Sequence, residues 1–183
     1  MDEMALVKLS QKLNNKNVIL FSTVFILLLI LAASILYIYP RNISVNYDGI
    51  KYQSGFTDNG TSVNIEIEGN LRKKLFNKGS KFYGKIIIDD ITFEYAGWPL
   101  YLDKKNVGLL EYREADNMKT FGQIITSNSF KTFTLEVFKT QNGGFTWNSG
   151  DGWLISAPAN NRKEAVEVSN DLIKKLQAEA VIK

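Results

Sequence analysis

The sequence predicts an α+β fold in which an N-terminal transmembrane helix is followed by a meandering antiparallel β-sheet or half-barrel with one C-terminal packing helix. An uncharged apolar segment covers residues 18–39, apolar and polar residues alternate in many short runs after residue 43, and an amphipathic pattern ends the chain. Residues 1–17 are then a cytoplasmic leader, residues 18–39 a transmembrane helix and residues 40–183 an extracytoplasmic β-rich domain.

The apolar segment is long enough to cross a bilayer. Its 22 residues from Val18 to Tyr39 carry no charge and lie between Lys16 and Arg41. At about 1.5 Å per residue such a helix spans roughly 33 Å, slightly more than the hydrocarbon core. The alternative is a cleaved secretory signal, whose apolar region is usually only about 7 to 15 residues long. The length therefore favours a retained anchor, and the lipid bilayer is the first predicted partner.

The charges that flank this segment predict its orientation. Lys8, Lys12 and Lys16 precede it, whereas only Arg41 and Lys51 follow closely. The positive-inside rule then places the N terminus in the cytoplasm and the large domain outside, as a single-pass protein of the cell membrane. The chain has no cysteine, so this domain must fold without disulfides.

The leader and the first strands follow from local patterns. Four apolar residues at roughly helical spacing, from Ala5 to Leu13, indicate a short interfacial helix or a disordered leader. Apolar and polar residues alternate over residues 43–47 and 63–67, with the turn-rich residues 54–60 between them. Residues 69–80 are ambiguous, because their apolar residues, Leu75 and Phe76 among them, fit either a helical turn or a continued strand.

Residues 82–95 predict a β-hairpin with Asp89-Asp90 as its two-residue turn, with a bulged three- or four-residue turn as the alternative. That register pairs Ile88 with Ile91, residue 86 with residue 93, and Lys85 with Glu94, so apolar and oppositely charged neighbours match at once. Further strands are expected over residues 107–112, 120–126, 132–139 and 153–156, separated by residues 113–119, 127–129, 141–144 and 148–152. The predicted sheet has six to eight strands.

One amphipathic helix is predicted at the C terminus, at about residues 161–180. Asn161 is the expected N-cap with Glu164 at the third helical position. Ala165, Val168, Leu172 and Leu176 form an apolar stripe that needs a sheet to cover, either on one face or as a plug in a half-barrel.

Two segments carry a resemblance to known proteins. Residues 84–91 (GKIIIDDI) and 155–165 (ISAPANNRKEA) resemble a family of Gram-positive bacterial proteins. The resemblance implies a membrane anchor or export signal and a small β-rich outer domain over most of residues 43–180. The relatives favour Asp-Gly at the hairpin tip, where this chain has Asp89-Asp90. The family is uncharacterised, so the resemblance implies no activity.

The composition argues against several chemistries. The chain has no histidine and no cysteine, which removes the usual general base, the thiol nucleophile and most transition-metal ligands. The outer domain is close to neutral, and its basic clusters, Arg72-Lys73-Lys74 and Lys104-Lys105, are short enough to be solvated surface, so no nucleic-acid partner is predicted. We predict no catalytic residue, no metal ligand and no cofactor, and interpret Asp89-Asp90 as turn formers.

Five residues are candidates for binding. Trp98, Trp147 and Trp153 lie at predicted strand ends or loops, where a ring can stack on a sugar or a partner side chain, or instead close the sheet over its core. Arg162 and Lys163 lie in the first turn of the C-terminal helix, where free amides and two cations could hold a phosphate or carboxylate. An ion pair with a nearby acid is the alternative for these two cations.

These observations predict a membrane-anchored extracytoplasmic binding module without catalysis, whose partner is an envelope protein, a peptide or a wall polymer. The alternative is a small-ligand carrier, which requires an interior cavity in the barrel. A third hypothesis is a carboxylate-dependent enzyme that acts on wall polymers, which requires two carboxylates in one cleft.

Overall fold

A computed structural model of the chain describes residues 3–57, 60–74, 79–114, 117–141 and 144–176, with residues 3–16 and 141 described by their backbone alone. The chain divides into two compact units, Met1–Tyr39 and Pro40–Lys183, and each is described by itself. The predicted positions Leu75 and Phe76, much of the loop at residues 58–60, residues 142–143 and residues 177–180 lie outside the described residues.

The first unit is one helix, α1, from Glu3 to Ile38. The first 39 residues contain neither proline nor glycine, so nothing in the leader interrupts the helical backbone. Its segment Asn17–Ile38 is long and apolar enough to cross a membrane, and its side chains are exposed. Ser22, Thr23 and Ser34 donate their hydroxyls to carbonyls three or four residues earlier, which satisfies these groups within the helix. The leader therefore continues α1 and is not a separate interfacial helix or a disordered segment.

The described residues of the second unit form eleven strands and one α-helix. The strands are β1 Arg41–Gln53, β2 Thr61–Lys73, β3 Ser80–Ile88, β4 Ile91–Glu94, β5 Leu100–Leu102, β6 Val107–Glu114, β7 Asn117–Thr126, β8 Phe133–Val137, β9 Lys139–Gln141, β10 Gly144–Thr146 and β11 Trp153–Ala157. A short 3₁₀ turn covers Asn128–Phe130, and helix α2 covers Arg162–Lys174.

Nine strands form one antiparallel sheet that is nearly closed into a barrel. The hydrogen-bonded order is β4-β3-β2-β1-β11-β8-β7-β6, with β5 also paired to β3. Two meanders, β1 to β4 and β6 to β8, are thus joined by β11, which lies between β1 and β8. The remaining strands, β9 and β10, form a separate hairpin. The prediction of an antiparallel sheet with a C-terminal helix is confirmed, and the number of strands exceeds the predicted six to eight.

The predicted β3–β4 hairpin has the predicted register. Ile88 faces Ile91 and Lys85 faces Glu94 across the ladder. Positive φ falls on Asp89 (φ 49°), whose carboxylate accepts the backbone N–H of Asn64 at 2.9 Å. The ion pairs of Lys85 are, however, made on the other side of β3, because its ammonium lies 3.3 Å from Glu66 and 3.1 Å from Glu68. The predicted register, with Lys85 opposite Glu94, is therefore confirmed, and Lys85 forms its ion pairs with β2.

The predicted limits of β6, β7 and β8 also differ from those observed. β6 continues to Glu114 and β7 begins at Asn117, so most of the expected connection 113–119 is strand. The paired ends of β6 and β7 extend beyond the core as a two-stranded ribbon with exposed side chains. Their polar sequence therefore resembles that of a loop. Lys119 forms an ion pair with Glu114 across the two strands. The expected strand 132–139 is interrupted at Phe138, whose N–H donates to the carbonyl of Phe121 at 3.0 Å.

Each face of the sheet covers a separate core. Inward-facing side chains of all the main strands, such as Ile65, Phe82, Leu110 and Leu135, fill the barrel interior. On the outer face, α2 lies against β1, β7, β8 and β11. Its stripe residues Ala165 and Leu172 pack with Tyr52 and Leu154 of the sheet, and Val168 and Leu176 are partly buried there. The helix therefore covers one face of the sheet and does not plug the barrel, whose interior is already occupied.

A buried polar cluster lies between α2 and the sheet. The Ser169 hydroxyl lies 2.5 Å from the Tyr52 hydroxyl and 2.7 Å from that of Ser156, accepts from Thr134 at 3.2 Å, and is within reach of the Ala165 carbonyl at 3.0 Å. Because each group has a partner, the cluster avoids the penalty of unsatisfied buried hydroxyls. It also fixes how α2 is aligned on the strands.

Candidate functional site

The seam of the barrel is where β4 and β5 face β6 without forming a backbone ladder with it. Side chains bridge this gap. The backbone N–H of Glu111 on β6 donates to the Tyr95 hydroxyl at 3.2 Å. Below this bond the Phe93 ring contacts Tyr112 and Phe121 edge to face, with centroids 6.2 and 5.2 Å apart. The seam is thus closed by packing from the inside and stays open toward solvent.

A glycine positions the loop that forms one wall of the seam. Gly84 and Tyr95 exchange backbone hydrogen bonds of 3.3 and 2.7 Å, which hold the chain to β3 just beyond β4. Gly84 has a φ of 152°, and a Cβ there would overlap the Glu68 carbonyl on β2. Only glycine fits this close approach. Its backbone therefore fixes where the loop 95–99, and with it Trp98, leaves the sheet.

Trp98 is an exposed aromatic residue that lines both clefts of the seam. Its side chain is 43% exposed, and the guanidinium of Arg113 on β6 lies 5.1 Å from its ring centroid. This cation–π contact holds the ring across the seam from the opposite strand.

Two open clefts meet at Trp98. Each has a volume of about 440 Å³, within the range usual for small-ligand sites. The first is lined by Thr92, Glu94, Ala96, Gly97, Trp98, Glu111, Tyr112, Arg113 and Met118. The second is lined by Lys74, Tyr95, Trp98, Pro99, Leu100, Tyr101, Leu102, Asp103, Val107, Gly108, Leu109, Glu111 and Gln123. Trp98 and Glu111 line both.

The polar groups of the two clefts have distinct environments, and Tyr95 lines only the second cleft. Burial raises the pKa of Tyr95 to about 12, so its hydroxyl stays protonated and accepts the Glu111 N–H. The Glu111 carboxylate accepts from the Thr120 hydroxyl at 3.4 Å. With Glu94, Glu111 and Arg113, the first cleft presents two carboxylates and one guanidinium beside the indole ring of Trp98. Such a surface combines apolar stacking with hydrogen-bonding groups of both kinds.

Trp147 and Trp153 lie elsewhere. The Trp147 indole N–H donates to the Trp153 carbonyl at 3.1 Å, and its ring packs partly into the core beneath α2. Trp153 is 37% exposed, with the Lys51 ammonium 5.5 Å from its ring. A third cleft of about 400 Å³ beside the β9–β10 hairpin includes Trp147, with Lys139 and Asp151 in an ion pair of 3.2 Å. None of its lining residues is shared with the clefts at the seam.

Arg162 and Lys163 do not form a charged pocket with the tryptophans. Asn161 caps α2 by accepting the Glu164 N–H at 3.0 Å, and the Glu164 carboxylate accepts the Asn160 N–H at 2.8 Å. This confirms the predicted N-cap, and these bonds hold the pKa of Glu164 below its usual value. The Arg162 guanidinium lies 5.6 Å from the Tyr52 ring, and Lys163 is exposed. Neither cation takes part in the four ion pairs found among the described residues.

The seam brings together residues that the sequence did not single out. Glu94, Glu111 and Arg113 join Trp98 only because β4 and β6 meet across the barrel opening. The alternation of β6 places Glu111 and Arg113 on one face, but no local pattern indicates that this face meets the loop 95–99. Within the described part of the chain, no group of three acidic residues is close enough to hold a metal ion.

Comparison of the chain with protein-family models, with curated proteins and with solved structures gives no match. A function can therefore be inferred only from the geometry and chemistry of the seam.

Proposed function

We propose that this protein is a single-pass, membrane-anchored module whose barrel domain lies outside the cytoplasm and binds a saccharide of a wall polymer at the seam. The single observation behind the binding proposal is the half-exposed Trp98 ring between two open clefts, held by Arg113 and flanked by carboxylates. The apolar faces of sugar rings stack on indoles, and sugar hydroxyls hydrogen-bond to carboxylates and guanidinium groups.

The apolar part of α1 supports the anchoring proposal. Asn17–Ile38 has the length and composition of a membrane span, and the lysines before it favour a cytoplasmic N terminus. Alkaline washing of membranes should leave the chain in the bilayer, and protease added outside intact cells should degrade the barrel. Release by the wash, or a mature chain that begins after residue 39, would contradict the anchor and favour a cleaved signal.

The packed interior argues against the carrier alternative. Inward-facing aromatic and branched side chains fill the barrel, and the three clefts all open at its surface. A carrier needs an enclosed cavity that removes most of its ligand from water. A polymer or an exposed peptide, by contrast, can be bound at an open seam.

The binding proposal can be tested with Trp98 as the reporter. Replacing Trp147 and Trp153 by Phe leaves Trp98 as the sole tryptophan of the chain. Titration with purified wall fragments should give a saturable change of its fluorescence. The matched control, Trp98→Phe with Trp147→Phe, keeps the partly exposed Trp153 and should not respond. A response of both reporters, or of neither, would refute binding at the seam. Crosslinking in intact cells would then reveal a protein or peptide partner if one replaces the polymer.

The pair Glu94 and Glu111 keeps the enzyme hypothesis as a second candidate. Both carboxylates line the first cleft, and glycoside hydrolysis requires two carboxyl groups on either side of the scissile bond. If the cleft is hydrolytic, wall fragments incubated with the protein will shorten, and Glu94→Gln and Glu111→Gln will each abolish this while Glu114→Gln will not. Binding without shortening of the fragments would exclude the hydrolytic function.

A further inference from the structure

A basic and aromatic patch lies on the outer face of β2, β3 and β5, and we define it as Arg72, Lys74, Lys81, Tyr83 and Tyr101. The sheet register creates it. Arg72 on β2 is directly opposite Lys81 on β3, and Lys81 is opposite Tyr101 on β5. Side chains in such a cross-strand row point to the same face. Three strands, together with Lys74 directly after β2, thus place three cations and two phenol rings side by side.

The cations of the patch are held by the rings. The Arg72 guanidinium lies 5.2 Å from the Tyr83 ring, and the ammonium groups of Lys74 and Lys81 lie 5.4 and 5.3 Å from the same Tyr101 ring. Tyr101 is 55% exposed, and Arg72 is also exposed. The patch is therefore a surface feature in which positive charge is concentrated around accessible aromatic rings.

No acid neutralises these cations within the described residues. Arg72, Lys74 and Lys81 take part in none of the four ion pairs there. Asp103, two residues after Tyr101, uses a carboxylate oxygen to accept the backbone N–H groups of Lys105 and Val107 at 2.8 and 2.9 Å. Like charges opposite each other in a sheet repel. An external anion would remove this repulsion.

The register also shows which end of the sheet carries the patch. Arg41, the first residue of β1, is paired with Leu71, and Leu71 with Phe82. The patch residues Arg72 and Lys81 occupy the next row. Only three residue steps separate Arg41 from the end of α1 at Ile38, and such a length of chain spans at most about 11 Å. The patch thus belongs to the end of the barrel that the chain tethers to the predicted membrane span.

We infer that the Arg72–Tyr101 patch binds anionic phospholipid headgroups of the bilayer that holds α1. Basic side chains beside a membrane span attract anionic lipids, and tyrosine rings settle at the headgroup level. The short tether favours lipid over a phosphate-bearing wall polymer, because only three residue steps connect this end of the sheet to the predicted span. This inference rests on the anchoring part of the proposed function and does not depend on saccharide binding. Lys74 and Tyr101 of the patch also line the second cleft at the seam, so docking by the patch leaves only the first cleft free.

The absence of cysteine allows a clean experiment on the full chain in lipid nanodiscs. Asn70→Cys places one fluorescent label beside the patch, on the same exposed face of β2, and Asp90→Cys places it at the far β3–β4 turn as a control. Quenching by lipids with spin-labelled headgroups reports how close each label lies to the bilayer. With phosphatidylglycerol present, we expect quenching at residue 70 but not at residue 90. In phosphatidylcholine alone, and at high salt, we expect the quenching at residue 70 to fall.

A charge-matched pair of variants tests the patch itself. Arg72→Gln, Lys74→Gln and Lys81→Gln together should lower the ratio of docked to undocked domains by up to about 100-fold, at roughly fivefold per basic side chain. The control removes the same charge from exposed positions of α2 and its C-terminal end, with Lys163→Gln, Lys174→Gln and Lys175→Gln, and should leave the quenching unchanged. Circular dichroism of both variants checks that they are folded.

Four outcomes would overturn the inference. Quenching that does not depend on anionic lipid, or that falls equally in both triple variants, would remove the patch as its cause. A fluorescence change at residue 70 on adding a soluble polyglycerol phosphate, lost in the patch variant and insensitive to the lipid, would assign the patch to a wall polymer. Loss of the whole chain from nanodiscs in an alkaline wash would contradict the membrane anchor, and with it the inference of lipid binding. Failure of saccharide binding at Trp98 would leave the inference of lipid binding unaffected.

Discussion

Glu136 lies on the same face of β8 as Thr134, between Gln123 on β7 and Leu154 on β11. Neither of these two neighbours carries a charge, and burial alone raises the pKa of Glu136 to about 7. The folded chain therefore favours the protonated carboxyl. Glu136→Gln keeps the shape of that carboxyl and cannot ionise, so this variant should be relatively more stable at high pH.

The expected size follows from the pKa. A rise from 4.5 to about 7 corresponds to about 3 kcal/mol, at about 1.4 kcal/mol per pH unit. Solvent reaches part of the side chain, so we expect about 1–2 kcal/mol after screening. Below pH 4.5 the carboxyl is protonated in both states and there is no penalty; the penalty grows as the pH rises and is complete above about 7.

Urea unfolding of the full chain in detergent micelles measures this effect. All three tryptophans lie between residues 98 and 153, so their fluorescence reports unfolding of the barrel. The free energy of unfolding of Glu136→Gln minus that of the wild type should increase by about 1–2 kcal/mol between about pH 5 and pH 8. Glu167→Gln, at an exposed position of α2, should show no such change. A difference for Glu136→Gln that does not vary with pH would refute the assignment of a buried, unpaired carboxyl.

Three further predictions concern the sheet and its helix. Ser169→Ala removes the hydroxyl shared by the buried cluster under α2 and should lower the free energy of unfolding by about 1–3 kcal/mol; an unchanged urea midpoint would mean that the cluster is not needed. Lys85→Glu should lower the melting temperature, because it places a third glutamate beside Glu66 and Glu68. Adding Glu68→Lys should restore more of the melting temperature than adding Glu94→Lys, although the two double variants have the same net charge. Equal recovery in the two double variants would contradict the observed pairing. Truncation after Asn160 removes α2 and bares the outer core, so the product should aggregate in size-exclusion chromatography; a soluble, folded product would disprove the packing of α2.

Local patterns were sufficient where neighbours in sequence are also neighbours in space. The β3–β4 register could be predicted because only two turn residues separate its strands, and the N-cap of α2 because Asn161 and Glu164 are three residues apart. The ends of β6 and β7 were missed because exposed polar rungs look like a loop. Lys85 forms ion pairs with Glu66 and Glu68 because β2 lies beside β3 on the side opposite β4. The sequence of the hairpin alone does not indicate this pairing.

The candidate site could be predicted only in part. Trp98 was singled out because a tryptophan ring at a strand end or in a loop can stack on a ligand, and it does line the seam. Its neighbours Arg113 and Glu111 follow it by more than ten residues, and the barrel brings them to it. The same holds for the basic patch: Arg72 and Lys74 were noted as a short cluster, but Lys81 and Tyr101 join them only through the sheet register.

The sequence by itself determined the apolar helix over residues 18–39, the antiparallel strands and the amphipathic helix α2, because hydrophobic periodicity, turn residues and caps act over a few neighbouring residues. Only the tertiary structure decided that β11 inserts between β1 and β8, that the barrel interior is filled, and that the loop 95–99 meets β6. These features depend on contacts between residues far apart in the chain. The entropy cost of closing such long loops is offset by burial of apolar surface in the whole barrel, and not by any local preference.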